Sequence, residues 1–76
     1  MSFQGYLRTI KEKTSLTPAE LRIKADEKGF TINGLLKPTV KAVEIVSWLK
    51  EEYDLGHGHS MAVYALLKGI KNEDSE

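Results

Sequence analysis

The stretch Met61-Ala62-Val63-Tyr64-Ala65-Leu66-Leu67 constrains this chain more than any other. Wound as a helix, it carries apolar surface around nearly its whole circumference, and such a helix has to be wrapped by the rest of its domain. Gly56-His57-Gly58-His59-Ser60 precedes it, and Lys68-Gly69 closes it with a cation and a glycine suited to a carboxyl end. Seventy-six residues can build one small core but not a deep, multi-walled active site. There is no cysteine, so stability has to come from packing, without disulfides or thiolate-held metal, which suits a reducing compartment.

The covering elements can be read in order. Phe3, Tyr6, Leu7 and Ile10 fall at i, i+3, i+4, i+7, which predicts an amphipathic helix capped by Ser2 and leaving at Thr14-Ser15. A second helix starts at Thr17, where Glu20 completes a capping box, Pro18 takes the first helical position and Leu16 with Leu21 forms a hydrophobic staple. It should run to Lys28 and stop at Gly29, with Leu21 and Ala25 inward, Ile23 outward and Glu20 paired with Lys24 on the surface. Asn33-Gly34 is a hairpin-type turn signal, but its flanks are too short for a stable isolated ribbon. An ordered loop is therefore expected to place Phe30, Ile32 and one of Leu35 or Leu36 in the core. Pro38-Thr39 should open a third helix, with Ala42, Val43, Ile45, Val46, Leu49 and Tyr53 on its apolar side. Trp48 falls beside that arc, either covering the core's flank or serving as an interface anchor.

The expected fold is all-α: a small four-helix domain over residues 1–70, its apolar C-terminal helix wrapped by the other three, with a disordered polar tail at 71–76. Val46, Leu49, Val63 and Leu66 should be nearly fully buried. Eleven basic and eleven acidic side chains cancel, removing the long-range attraction to phosphate typical of nucleic-acid binders, so nucleic acid is not the expected partner. The N-terminal residues hold no secretory-type apolar region and no run reaches the ~18 residues of a membrane span, so no membrane partner and a cytoplasmic location are expected.

Several longer strings look familiar: Lys13-Thr14, Thr17-Pro18-Ala19-Glu20, Lys37-Pro38, Lys41-Ala42-Val43-Glu44-Ile45-Val46-Ser47-Trp48-Leu49-Lys50 and Leu55-Gly56-His57-Gly58-His59-Ser60-Met61-Ala62. Together they resemble a small bacterial family catalogued as a domain of unknown function, numbered four-two-eight-seven. The resemblance covers almost the whole chain and implies a bacterial, cytoplasmic, helical domain. It supplies no activity.

Chemistry can be sought first at Gly56, His57, Gly58, His59 and Ser60. Two histidines two residues apart lack the i, i+4 helical spacing of a zinc pair, and no further ligand is dictated, so no metal and no cofactor are expected. The glycines could let an anion approach free amides at the start of the last helix; alternatively Gly56 ends the third helix, Gly58 permits a turn, and His59 or Ser60 caps. Ser47 and Ser60 lack a nucleophile elbow and no third group orients either histidine, which argues against an enzyme. A helix-turn-helix comparison would make the apolar last helix the reading helix, and it has too few polar side chains to read base edges. The expectation is a non-enzymatic helical binding or interaction module, with a protein partner or self-association and Trp48 as a candidate interface residue. The alternatives are a nucleic-acid-associated domain using lysines and arginines on one face, or an anion or metal site at Gly-His-Gly-His.

Overall fold

In the computed structural model, which describes residues 2–72, four helices and one short hairpin follow in the order α1 (Phe3–Thr14), α2 (Pro18–Lys28), β1 (Thr31–Ile32), β2 (Leu35–Leu36), α3 (Ala42–Tyr53) and α4 (His57–Lys68). The fold is mostly α, as the periodicities predict. The polar tail expected at 71–76 lies, from residue 73 on, outside the described residues. Lys71 and Asn72 are exposed, and the Lys71 amide still donates to the Ala65 carbonyl at 3.3 Å.

The first two helices are bounded as their sequences specify. Ser2 Oγ accepts from the Gly5 amide at 3.2 Å, and Phe3, Leu7 and Ile10 are buried. Thr14 fixes the exit: its hydroxyl donates to the Ile10 carbonyl at 2.7 Å and accepts from the Leu16 amide at 3.1 Å. At α2, Thr17 Oγ1 accepts from the Glu20 amide at 3.2 Å while the Glu20 carboxylate accepts from the Thr17 amide at 3.0 Å, a closed capping box. The bond from the Thr17 amide first, and the Thr17 side chain beside the carboxylate second, hold the Glu20 pKa below its ordinary value. The expected Glu20–Lys24 pair gives way to this cap, and Lys24 lies instead 3.8 Å from Glu27.

The segment after α2 departs from expectation. It forms a hairpin with Thr31 opposite Leu36 and Ile32 opposite Leu35, turning through Asn33 and Gly34, both at positive φ. A ribbon this short is too weak alone, and α2 holds it. Asp26 Oδ1 accepts from the Thr31 hydroxyl and, at 3.1 Å, from the Gly34 amide. Because Asp26 draws Thr31 inward, strand alternation turns Ile32 outward: Thr31 is buried, while Ile32 and Leu35 are 63% and 61% exposed. Of the residues expected inside, Phe30 and Leu36 are half-buried.

Helix α3 begins at Ala42, later than Pro38-Thr39 suggests, since those two residues form a turn closed by the Val40 amide on the Lys37 carbonyl. The Glu44 carboxylate accepts from the Lys41 amide at 2.8 Å and fixes the start. The buried face is Ile45, Trp48 and Leu49, rotated from the expected arc, so Val43 is exposed and Val46 only half-buried. Asp54, at φ 53°, ends α3, and Gly56 begins α4 as its N-cap; neither His59 nor Ser60 caps. Helix α4 packs on α3, α1, α2 and β2, burying Ser60, Ala62, Val63, Leu66 and Leu67. It is not covered all round. Met61, Tyr64 and Ala65 are half-buried and Lys68 is exposed, an i, i+3, i+4, i+7 stripe that borders solvent.

Candidate functional site

The Gly-His-Gly-His segment is the first turn of α4 rather than a loop. Residues two apart on a helix point about 200° apart, so His57 and His59 diverge. His57 is exposed, whereas His59 is half-buried with its ring edge-on to Tyr6 of α1, centroids 5.1 Å apart. The His59 Nε2 is buried without a hydrogen-bond partner among the described residues. Among those residues no group of three or more histidine, cysteine, aspartate or glutamate side chains could hold a metal ion. Gly58 has helical backbone and open space where a side chain would project, so a tight turn is not what it provides. Gly56 caps without a side-chain bond, leaving the first amides of α4 to solvent. Ser60 is fully buried, its Oγ making a long 3.5 Å contact with the Leu55 carbonyl, and is closed to any ligand.

Trp48 is 4% exposed and belongs to the core, tilted against Phe30 at 5.5 Å and edge-on to Tyr53 at 6.3 Å. Its Nε1 is buried with no partner among the described residues. The ring borders a shallow cleft of about 140 Å³ with Lys24, Glu27, Lys28, Glu52 and Tyr53. The Lys28–Glu52 ion pair at 2.7 Å and the Lys24–Glu27 pair neutralise that wall. As an interface anchor Trp48 would have to be uncovered first.

Two features that no single stretch of sequence announces are formed by packing. One is an aliphatic surface at the hairpin: Ile32 and Leu35 are cross-strand partners on one outward face, and Ile70, 64% exposed, follows Gly69, whose backbone lies against Leu35. The other is a cleft of about 260 Å³ between the end of the hairpin, the start of α3 and the end of α4, lined by Leu36, Lys37, Pro38, Val40, Lys41, Ala42, Tyr64 and Lys68. It gathers three lysines and, among the described residues, no aspartate or glutamate. Lys68 Nζ donates to the Tyr64 hydroxyl at 3.3 Å and stands 5.5 Å over the Tyr64 ring. Pairwise distance in sequence hides both features, since 37, 41 and 68, like 35 and 69, come together only after α4 has docked.

No helix among the described residues is long and apolar enough to cross a membrane. No curated protein and no solved structure matches the chain. The model of one family, described as a domain of unknown function (DUF4287), matches residues 2–69, a span that takes in all four helices and the hairpin.

Proposed function

We propose, for a chain that belongs to the DUF4287 family of domains of unknown function, the role of a non-enzymatic binding module that docks a protein partner on the outward face of its hairpin. The observation that carries this is the exposure of Ile32 and its cross-strand partner Leu35, with Ile70 following the Gly69 that lies against Leu35, whereas the other exposed large aliphatics, Ile23 and Val43, stand on separate helices. Exposed aliphatic side chains gathered together mark contact surfaces, whereas scattered ones need no explanation. The occupant is a protein because aliphatic groups neither pair with base edges nor neutralise phosphates. The zero net charge adds no long-range attraction to a polyanion.

The test is capture from native lysate with the wild-type chain and with the double variant Ile32→Lys/Leu35→Lys, both checked for intact fold by circular dichroism. A protein held by wild type at low and high salt but lost by the variant is the expected result. Capture retained by the variant, or none by wild type, overturns the reading. Self-association of the purified chain that the variant abolishes reassigns the face to a second copy. Capture that collapses as salt rises points instead to the nucleic-acid alternative.

A further inference from the structure

We propose that the cleft between Lys37, Lys41 and Lys68 is a binding site for a small phosphate-type oxyanion. The inference is independent of the hairpin face. In a chain with as many acidic as basic residues, three lysines line one concavity and, among the described residues, no aspartate or glutamate lines it with them. The ion pairs Lys24–Glu27 and Lys28–Glu52 lie elsewhere. Glu44, the acidic residue in the first turn of α3, is bonded to the Lys41 amide and is not part of the wall.

Three further properties narrow the ligand. Lys41 and Ala42 place the amino end of α3 at the cleft, where the Glu44 amide meets the Lys41 carbonyl but those of Ala42 and Val43 have no intrahelical carbonyl to meet, and the helix dipole favours negative charge. Lysines act on phosphate as point charges without needing the paired geometry that arginine offers a carboxylate. Tyr64, having accepted from Lys68, keeps its own O–H to donate. The size of the cleft, about 260 Å³, lies below the ~300–1,000 Å³ of ordinary small-molecule sites and suits a phosphate or diphosphate group more than a whole nucleotide. Tyr64 is the one aromatic among the described residues of the wall, and with Lys68 Nζ 5.5 Å over its ring it leaves one face at most for stacking a base. The first turn of α4, capped by Gly56 without a side-chain bond, is a second helix start and so provides an internal comparison.

Pyrophosphate titrated into the intact, isotopically labelled chain at low salt and pH 7 should move the amide resonances of Lys41, Ala42 and Val43 and leave those of His57 to His59 in place. Lys41→Gln and Lys68→Gln should each weaken binding about fivefold, the order expected for removing one cation about 4 Å from the anion in water. Lys13→Gln, exposed on α1 and outside the lining of the cleft, should not change it. ADP binding like pyrophosphate while adenosine does not would identify the phosphoryl end of a larger molecule as the source. Pyrophosphate or inorganic phosphate binding more tightly than ADP would identify the free ion. Shifts centred on His57 to His59, equal weakening by Lys13→Gln, or no shift at Lys41 to Val43 would each overturn the site. A short single-stranded oligonucleotide that moves the same amides at much lower concentration than pyrophosphate would overturn its assignment to a small oxyanion.

Discussion

Single residues decide where this chain starts and stops its elements, and several of them act through a hydrogen bond to a neighbour's backbone. Thr17→Ala should destabilise the protein by about 1 kcal/mol, because it removes the oxygen that the Glu20 amide meets. Urea unfolding measures this; an unchanged midpoint would show that solvent caps equally well. The reciprocal half of the box carries a pH signature. The pKa of Glu20 is lowered in the folded chain, first by the bond from the Thr17 amide, so its contribution is present above the unfolded pKa and is lost as pH falls through the folded one. Glu20→Gln should therefore narrow the stability difference between neutral and acidic pH, and a difference of unchanged size would contradict it. Asp26 has the larger task, since it bonds both the buried Thr31 hydroxyl and the Gly34 amide. Asp26→Ala should cost about 1–3 kcal/mol through those unsatisfied donors. In a double-mutant cycle with Thr31→Val the two losses should be less than additive. Strict additivity would mean that the pair does not hold the hairpin.

At the scale of elements, two glycines with opposite demands test the hairpin and the start of α4. Gly34 sits at φ 81° with a would-be Cβ only 3.0 Å from Arg22 Cδ, whereas Gly58 lies in the first turn of α4 with open space around it. Gly34→Ala should destabilise by about 1–2 kcal/mol, the cost of the left-handed backbone. Gly58→Ala should stabilise by about 0.5 kcal/mol, since alanine loses less entropy in a helix. Melting temperatures moving in opposite directions would establish both placements; a drop with Gly58→Ala would mean that the first turn of α4 is not helical in solution. The elements also show where periodicity suffices. Phe3, Leu7 and Ile10 repeat cleanly and are buried, but the apolar arc of α3 is broad enough to allow more than one rotation, and packing chose the one that buries Trp48 instead of Val43.

The whole molecule depends on α4. Its buried Val63, Leu66 and Leu67 join residues of α1, α2 and α3 in one apolar cluster. Leu66→Ala should cost about 2–5 kcal/mol in lost contacts and cavity. A chain of this length has total stability on the order of 4–11 kcal/mol, so that loss removes a large share of it. Thermal melting reads the outcome, and an unaltered transition would show that α4 is peripheral. Met61, Tyr64, Ala65 and Lys68 form the side of α4 that borders solvent, and two of them, Tyr64 and Lys68, help to wall the lysine cleft.

The sequence by itself determined what is local: the four helices, the Ser2 and Thr17 caps, the stops at Gly29 and Gly69, and the family to which residues 2–69 belong. Each rests on contacts within a few residues, or on strings long enough to be specific. Tertiary structure decided the rest. It turned Ile32 outward, because an aspartate on another element bonded its neighbour Thr31. It drew Trp48 inward, against Phe30 and Tyr53. It sent His57 and His59 in different directions by making their segment helical. It also brought Lys37, Lys41 and Lys68 to one cleft, a meeting invisible in a linear charge pattern, because distance along the chain says nothing about proximity until a helix has docked.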